Sequence, residues 1–238
     1  MTGLRRTAPE RHDALMVIAK VPEPGRVKTR LSPPLTAHGA CQVAWACLLD
    51  TLDVVAQVDV ERRVLVLDGR PGSWIPPGFD IIAQRGDGLA ARLTAAFEDV
   101  FASGSSRGLV IAMDTPQVDC AMLRQALDAL ATSARSLLGP ATDGGDWAIG
   151  LRSDVDPAAV FLGIPMSTPD TGLAQGQRLC TVGYAPHVLP TLRDIDDIDD
   201  LLAVSLLVPQ RRIATITHAL FAHTESLLGA NNASCAID

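Results

Sequence analysis

The chain has 238 residues, of which 47% are hydrophobic and 20% charged, and its formal net charge is −7. That balance allows a sizeable core and excludes a globally disordered polymer. A protein built to grip a nucleic-acid backbone carries a basic surface, so the acidic charge excludes that partner; a single nucleotide is still compatible, because a few local cations and a metal can hold it.

The length suits one large domain over residues 1–238, with a core at about 14–228 and loose termini. Cys41, Cys47, Cys120, Cys180 and Cys235 form no C-x-x-C pair and are odd in number, as expected of free thiols in a reducing compartment. The histidines show no zinc-type spacing. Met1 to Asp13 lacks the apolar core of a signal peptide, and no apolar run reaches membrane-spanning length. A cytoplasmic protein without a membrane span is the expectation.

In chain order, Ala14 to Val21 is a continuous apolar run, the pattern of a strand buried on both faces. A proline- and glycine-rich loop follows from Pro22 to Pro34. Thr36 then caps a helix with Ala40, Val43, Ala44, Cys47, Leu48 and Leu52 on one stripe. Arg63–Asp68 and Asp80–Gln84 read as strands, and Asp87 opens a helix with Leu89, Leu93, Phe97 and Val100 at helical spacing. Gly108–Asp114 is a fourth strand, and Asp119 opens a helix through Leu130. Leu137–Pro140 and Trp147–Leu151 read as strands around the turn Thr142-Asp143-Gly144-Gly145. Ser153–Gln177 gives short helices at best, and Arg178–Gly183 reads as one more strand. Helices are expected from Asp197 to about Val208 and from Gln210 to about Leu228, with apolar residues that would suit a homodimer. This alternation predicts a largely parallel sheet between helix layers.

Ligands of such sheets bind outside the carboxyl ends of the strands, and four polar clusters fall there. In Ala19–Leu31 the cations Lys20, Arg26, Lys28 and Arg30 crowd a loop stiffened by Pro22, Pro24 and Gly25. Their mutual repulsion makes sense if an anion such as phosphate sits among them, and a solvated basic loop is the alternative. Asp114 ends a buried strand before Thr115-Pro116. It is either a ligand for Mg²⁺ or Mn²⁺ or a turn cap. Asp143, beside Gly144, Gly145 and Asp146, either binds metal, orients an acceptor hydroxyl, acts as a base, or simply makes a hairpin turn. In Asp194–Asp200 the acids Asp197, Asp199 and Asp200 suit a helix start, while Asp194 and Asp196 are candidates to lie near the site.

The stretch A-K-V-P-E-P-G-R-V-K-T-R-L resembles the amino-terminal signature of a bacterial family of GT-A-type glycosyltransferases, the DUF2064 group. Some of its members are described as arsenosugar-biosynthesis glycosyltransferases. The resemblance continues collinearly through Gln84–Leu93, Ile111–Pro116, Gly139–Gly145, Phe161–Pro165 and Asp194–Asp196. It implies a three-layer α/β/α Rossmann-like GT-A fold with a mostly parallel mixed sheet, the nucleotide-diphospho-sugar transferase fold. By that resemblance the loop from Ala19 through Lys20, Gly25, Arg26 and Lys28 to Arg30 holds base and phosphates, helped by Gln84, Gly88 and Arg92. Asp114 is then the metal-binding and catalytic acid, Asp143 the second catalytic acid, and Gly144, Gly145 and Asp146 face the sugar or acceptor. The sequence departs from the family pattern at Ala112, where glycine is usual, at Asp146, where an aromatic is usual, and at Met166, where tryptophan is usual. The last two fall where an acceptor would sit.

The implied activity is metal-dependent transfer from a nucleotide-sugar to an unknown small-molecule acceptor. Two rivals stand beside it: a nucleotidyltransferase that releases pyrophosphate, and a non-catalytic nucleotide-binding homologue. A dinucleotide-dependent oxidoreductase is disfavoured, because no G-x-G-x-x-G follows the first strand.

Overall fold

The computed structural model describes residues 12–233, with side chains through residue 222. Residues 1–11, read above for a targeting signal, and residues 234–238 of the tail lie outside the described part.

Apolar runs make the sheet. β1 (Asp13–Lys20), β2 (Arg62–Asp68), β3 (Phe79–Ala83), β4 (Arg107–Ala112), β5 (Ser136–Pro140), β6 (Asp146–Arg152) and β7 (His187–Val188) form one sheet in the order β3-β2-β1-β4-β6-β5-β7. Neighbours pair in parallel except β6, which runs antiparallel to both β4 and β5. The expected mostly parallel mixed sheet is therefore present.

Side-chain alternation sends β1 into two separate cores. Leu15, Val17 and Ala19 pack with Leu48, Leu52 and Val55 of α1 (Ala37–Gln57) and with Leu123, Leu127 and Leu130 of α3 (Cys120–Thr132). Ala14 and Met16 point the other way, to Phe97 and Val100 of α2 (Gly88–Ala102) and Val160 and Phe161 of α4 (Pro157–Phe161). Leu179 of α5 (Thr171–Thr181) closes that second layer. α1 is long and apolar enough to cross a membrane by length and composition alone, but most of it is buried inside the fold. Its outer side packs on α6 (Ile198–Leu207) and α7 (Arg212–Ala233) through Val43, Cys47, Leu201, Val204 and Ile213.

Several caps follow the sequence reading. Thr36 accepts from Gly39 N–H, Asp119 from Met122 N–H, and Asp197 forms a reciprocal capping box with Asp200. Asp87 stands before α2 but makes no side-chain cap bond.

Other expectations need correction. Arg178–Gly183 is not a strand but the end of α5 and its turn: Leu179 follows the buried Gln175 at helical spacing. Gly183, at φ +84°, ends the helix while Tyr184 N–H reaches back to Leu179 O at 2.8 Å. β7 was not anticipated. β4 stops at Ala112 rather than continuing to Asp114, and the helix expected to end at about Leu228 runs to Ala233 as part of α7.

Candidate functional site at the carboxyl edge of the sheet

From β1 the chain moves outward to β2 and β3 on one side and then crosses to β4 on the other. The carboxyl ends of β1 and β4 therefore diverge, leaving a crevice at the point where strand order reverses. A cleft of about 500 Å³ opens there. Lys20 lines it from the last position of β1, Lys28 and Arg30 from the loop that follows, Asp114 and Thr115 from just beyond β4, Asp143 from the β5–β6 turn and Asp146 from the first position of β6.

Long-range backbone bonds bring in the remaining wall. Ala141 bridges Leu192 beyond the end of β5, Thr142 N–H donates to Leu192 O at 2.9 Å, and Ile195 N–H donates to Asp114 O at 3.1 Å. The segment is thereby laid across the strand ends, and Asp194 and Asp196 enter the cleft.

Cations and acids meet directly. Lys28 Nζ donates to Asp114 Oδ2 at 2.7 Å and to Asp196 Oδ1 at 3.0 Å, and Arg30 donates to Asp196 Oδ2 at 2.8 Å. The Lys28 side chain is only 9% exposed. Burial pulls its pKa down, but the carboxylates of Asp114 and Asp196 outweigh that and hold the ammonium charged above its ordinary range. Oxygens of Asp143, Asp194 and Asp196 lie within 4.8 Å of one another. Burial, followed by repulsion from Asp143, Asp114 and Asp196, pushes Asp194 up to about 7.

The β5–β6 turn is shaped by glycine. Gly144 has φ +90°, and a Cβ there would lie 1.9 Å from Pro169 O. Gly172 N–H donates to Gly144 O at 2.8 Å, so the turn and the start of α5 touch backbone to backbone. Asp143 Oδ1 accepts from Gly145 N–H at 2.7 Å. Asp146 has one buried oxygen without a partner, and burial followed by Asp143 raises its pKa to about 7. Met166, Ser167, Thr168 and Pro169 complete this side of the cleft.

Ala19, Gly25, Arg26, Gln84, Gly88, Arg92 and Gly144, also expected at the site, are not part of the cleft lining. Gly25 takes φ +76° in a turn where Arg26 pairs with Glu23 at 2.8 Å, and the Arg26 carbonyl accepts from Lys20 Nζ at 3.1 Å. Gln84 donates to Ala19 O and Val66 O, while its own oxygen accepts from Arg92, which also pairs with Asp68 at 3.0 Å. These contacts tie the ends of β1 and β2 to α2, next to Gly88 at φ +79°. Sequence reasoning missed Thr115, whose buried hydroxyl has no partner, and the Ser167–Thr171 wall. Thr115 carried no separate signal, and the wall lies in the stretch that showed no clear periodicity.

The fold is shared with solved structures of the nucleotide-diphospho-sugar transferase type. A Desulfovibrio desulfuricans protein provisionally assigned as such a transferase superposes with a TM-score of 0.80 at 24% identity, covering 92% of this chain and 98% of that one. A CMP:2-keto-3-deoxy-manno-octonic acid synthetase in complex with CTP gives 0.53 at 13% identity, covering 84% and 99%. A 4-diphosphocytidyl-2C-methyl-D-erythritol synthase from Anaerococcus prevotii gives 0.53 at 10%, covering 84% and 97%. Residues 51–168 match the model of the family described as an uncharacterized protein conserved in bacteria (DUF2064). No curated protein matches its sequence significantly.

Proposed function

We propose that the protein transfers a sugar from a nucleoside-diphosphate donor to a small-molecule acceptor with the help of Mg²⁺ or Mn²⁺. The observation that carries this reading is the contact of Lys28 and Arg30 with Asp114 and Asp196 in one cleft. It sets phosphate-binding cations against metal-type carboxylates at the strand-order reversal.

The loop from Ala19 to Arg30 would cradle base and phosphates, with Gln84, Gly88 and Arg92 fixing its far side. Lys28 and Arg30 would hydrogen-bond phosphate oxygens and stabilise the charge left on the diphosphate. Asp143 would orient an acceptor hydroxyl, and Gly144, Gly145 and Asp146 would face the sugar or acceptor. The donor set of Asp143, Asp194 and Asp196, oxygen-only and mutually repelling, fits a hard divalent ion, with Asp114 alongside. Such an ion supplies neutralisation of the diphosphate charge. Cys41, Cys47, Cys120 and Cys180 are free thiols, which suits the reducing cytoplasm where we place the protein.

The test is release of nucleoside diphosphate from a panel of nucleotide-sugars with MnCl₂. Asp114→Ala should lower turnover by about 100-fold or more while the circular dichroism spectrum of the folded protein is retained; retained turnover sinks the role of Asp114. The fold shared with a CTP-bound synthetase supports a second reading, nucleotidyl transfer. That reaction releases pyrophosphate from a triphosphate, so the two are separated by the product. Binding without either product would leave a non-catalytic nucleotide-binding homologue.

A further inference from the structure

Asp196 is claimed twice. It belongs to the carboxylate set with Asp143 and Asp194, yet its Oδ1 accepts from Lys28 and its Oδ2 from Arg30. Lys28 at the same time holds Asp114 at 2.7 Å, so one ammonium sits between two acids of the cleft. A carboxylate with a cation on each oxygen has most of its charge already balanced. A divalent ion approaching it also meets the repulsion of the ammonium across a short distance.

The two cations differ in how firmly they are held. Arg30 is 74% exposed and pairs only with Asp196 in these contacts, so it can swing away freely. Lys28 is 9% exposed, and its charge is taken out of water against Asp114 and Asp196. Its backbone is fixed as well: φ is +46°, in the left-handed region, directly before the 3-10 turn Thr29–Leu31. The buried Val27 and Leu31 anchor the chain on either side of it. An ammonium carries three donors, and two of them serve these carboxylates. The third is available to an oxygen arriving from the cleft.

We propose that Lys28 is an internal counter-cation that occupies the carboxylates until a phosphate group draws it away, so that divalent metal and diphosphate enter the site together. This rests on the metal-dependent reading above and goes beyond it. Lys28 is then a positioning residue whose exchange of partners, from Asp114 and Asp196 to phosphate oxygens, opens the metal set. Metal alone binds the ligand-free protein weakly, because the internal cation is already there.

The experiment is Mn²⁺ binding to the full-length protein without nucleotide, read from the electron paramagnetic resonance signal of free Mn²⁺. It compares wild type, Lys28→Met and Lys28→Gln, each checked for an unchanged circular dichroism spectrum; the glutamine keeps a polar side chain if methionine disturbs folding. Both variants should bind Mn²⁺ about tenfold or more tightly than wild type, and adding Asp194→Asn to Lys28→Gln should remove the gain. Equal affinity in wild type and variants, still lost with Asp194→Asn, overturns the role of Lys28 and leaves the metal site standing. Absence of Mn²⁺ binding in every protein, variants included, overturns both.

Discussion

Asp146 and Asp194 line the cleft with pKa values raised to about 7, each through burial first and neighbouring carboxylates second. The linkage has a definite sign. In the unfolded chain both acids ionise near the ordinary value of about 4. Between pH 4 and 7 the folded protein therefore binds more protons, and its stability falls as pH rises. Above about pH 7 the penalty is complete and constant. Replacing Asp146 with Asn should raise the melting temperature at pH 8 by at least about 2 °C and leave it nearly unchanged at pH 4; no difference between the two pH values would contradict the shift. Gly144 makes a second residue-level case. A Cβ there meets Pro169 O at 1.9 Å with φ at +90°, so Gly144→Ala should destabilise by about 2 kcal/mol or more. Urea denaturation reads this directly. The basic loop and Asp114 were legible in the sequence because their signals are local: clustered cations, and an acid at a strand end. The full carboxylate set was not, because Asp143 and Asp194 meet only through the pairing of Ala141 with Leu192.

At the scale of elements, the long helices and apolar strands were readable from periodicity. Phe97 shows why: it lies fully buried on the inner stripe of α2 and stacks on Phe161 with ring centroids 5.5 Å apart. Phe97→Ala should cost about 3–5 kcal/mol, measured by urea unfolding. Arg178–Gly183 misled because a short apolar stretch fits either period, and Gly183 and the bond from Tyr184 to Leu179 decided for a helix end. The docking of α7 left no sequence signal at all. Asp50, on α1 and 2% exposed, accepts from the backbone N–H groups of Arg212 and Ile213 and from the Arg212 guanidinium. Asp50→Ala strands those donors and should lower stability by roughly 3 kcal/mol. Asp50 is not part of the cleft lining, so a nucleotide-induced melting shift should survive the substitution.

At the scale of the molecule, a chain of net charge −7 gathers Lys20, Lys28 and Arg30 at one crevice and sets acids around them. The arrangement of strands makes that crevice, and the loop after β1 fills it with cations. Parallel pairing was legible from the alternation of strands and helices, and the hairpin signal at Thr142–Gly145 pointed to an antiparallel β5–β6 pair; that β6 is inserted between β4 and β5, antiparallel to both, became visible only with the pairing itself. The central claim, that this crevice holds a nucleoside-diphosphate group together with a divalent ion, is tested most directly by thermal shift. The wild-type protein is melted with each nucleoside diphosphate in the presence of Mn²⁺, Mg²⁺ or EDTA. A ligand that binds only the folded state raises the melting temperature, by about 2.7 kcal/mol of stability at a hundredfold excess over its dissociation constant. At least one diphosphate should raise the melting temperature, and EDTA should abolish the rise. No rise with any diphosphate, in protein that melts cooperatively, would contradict the central claim.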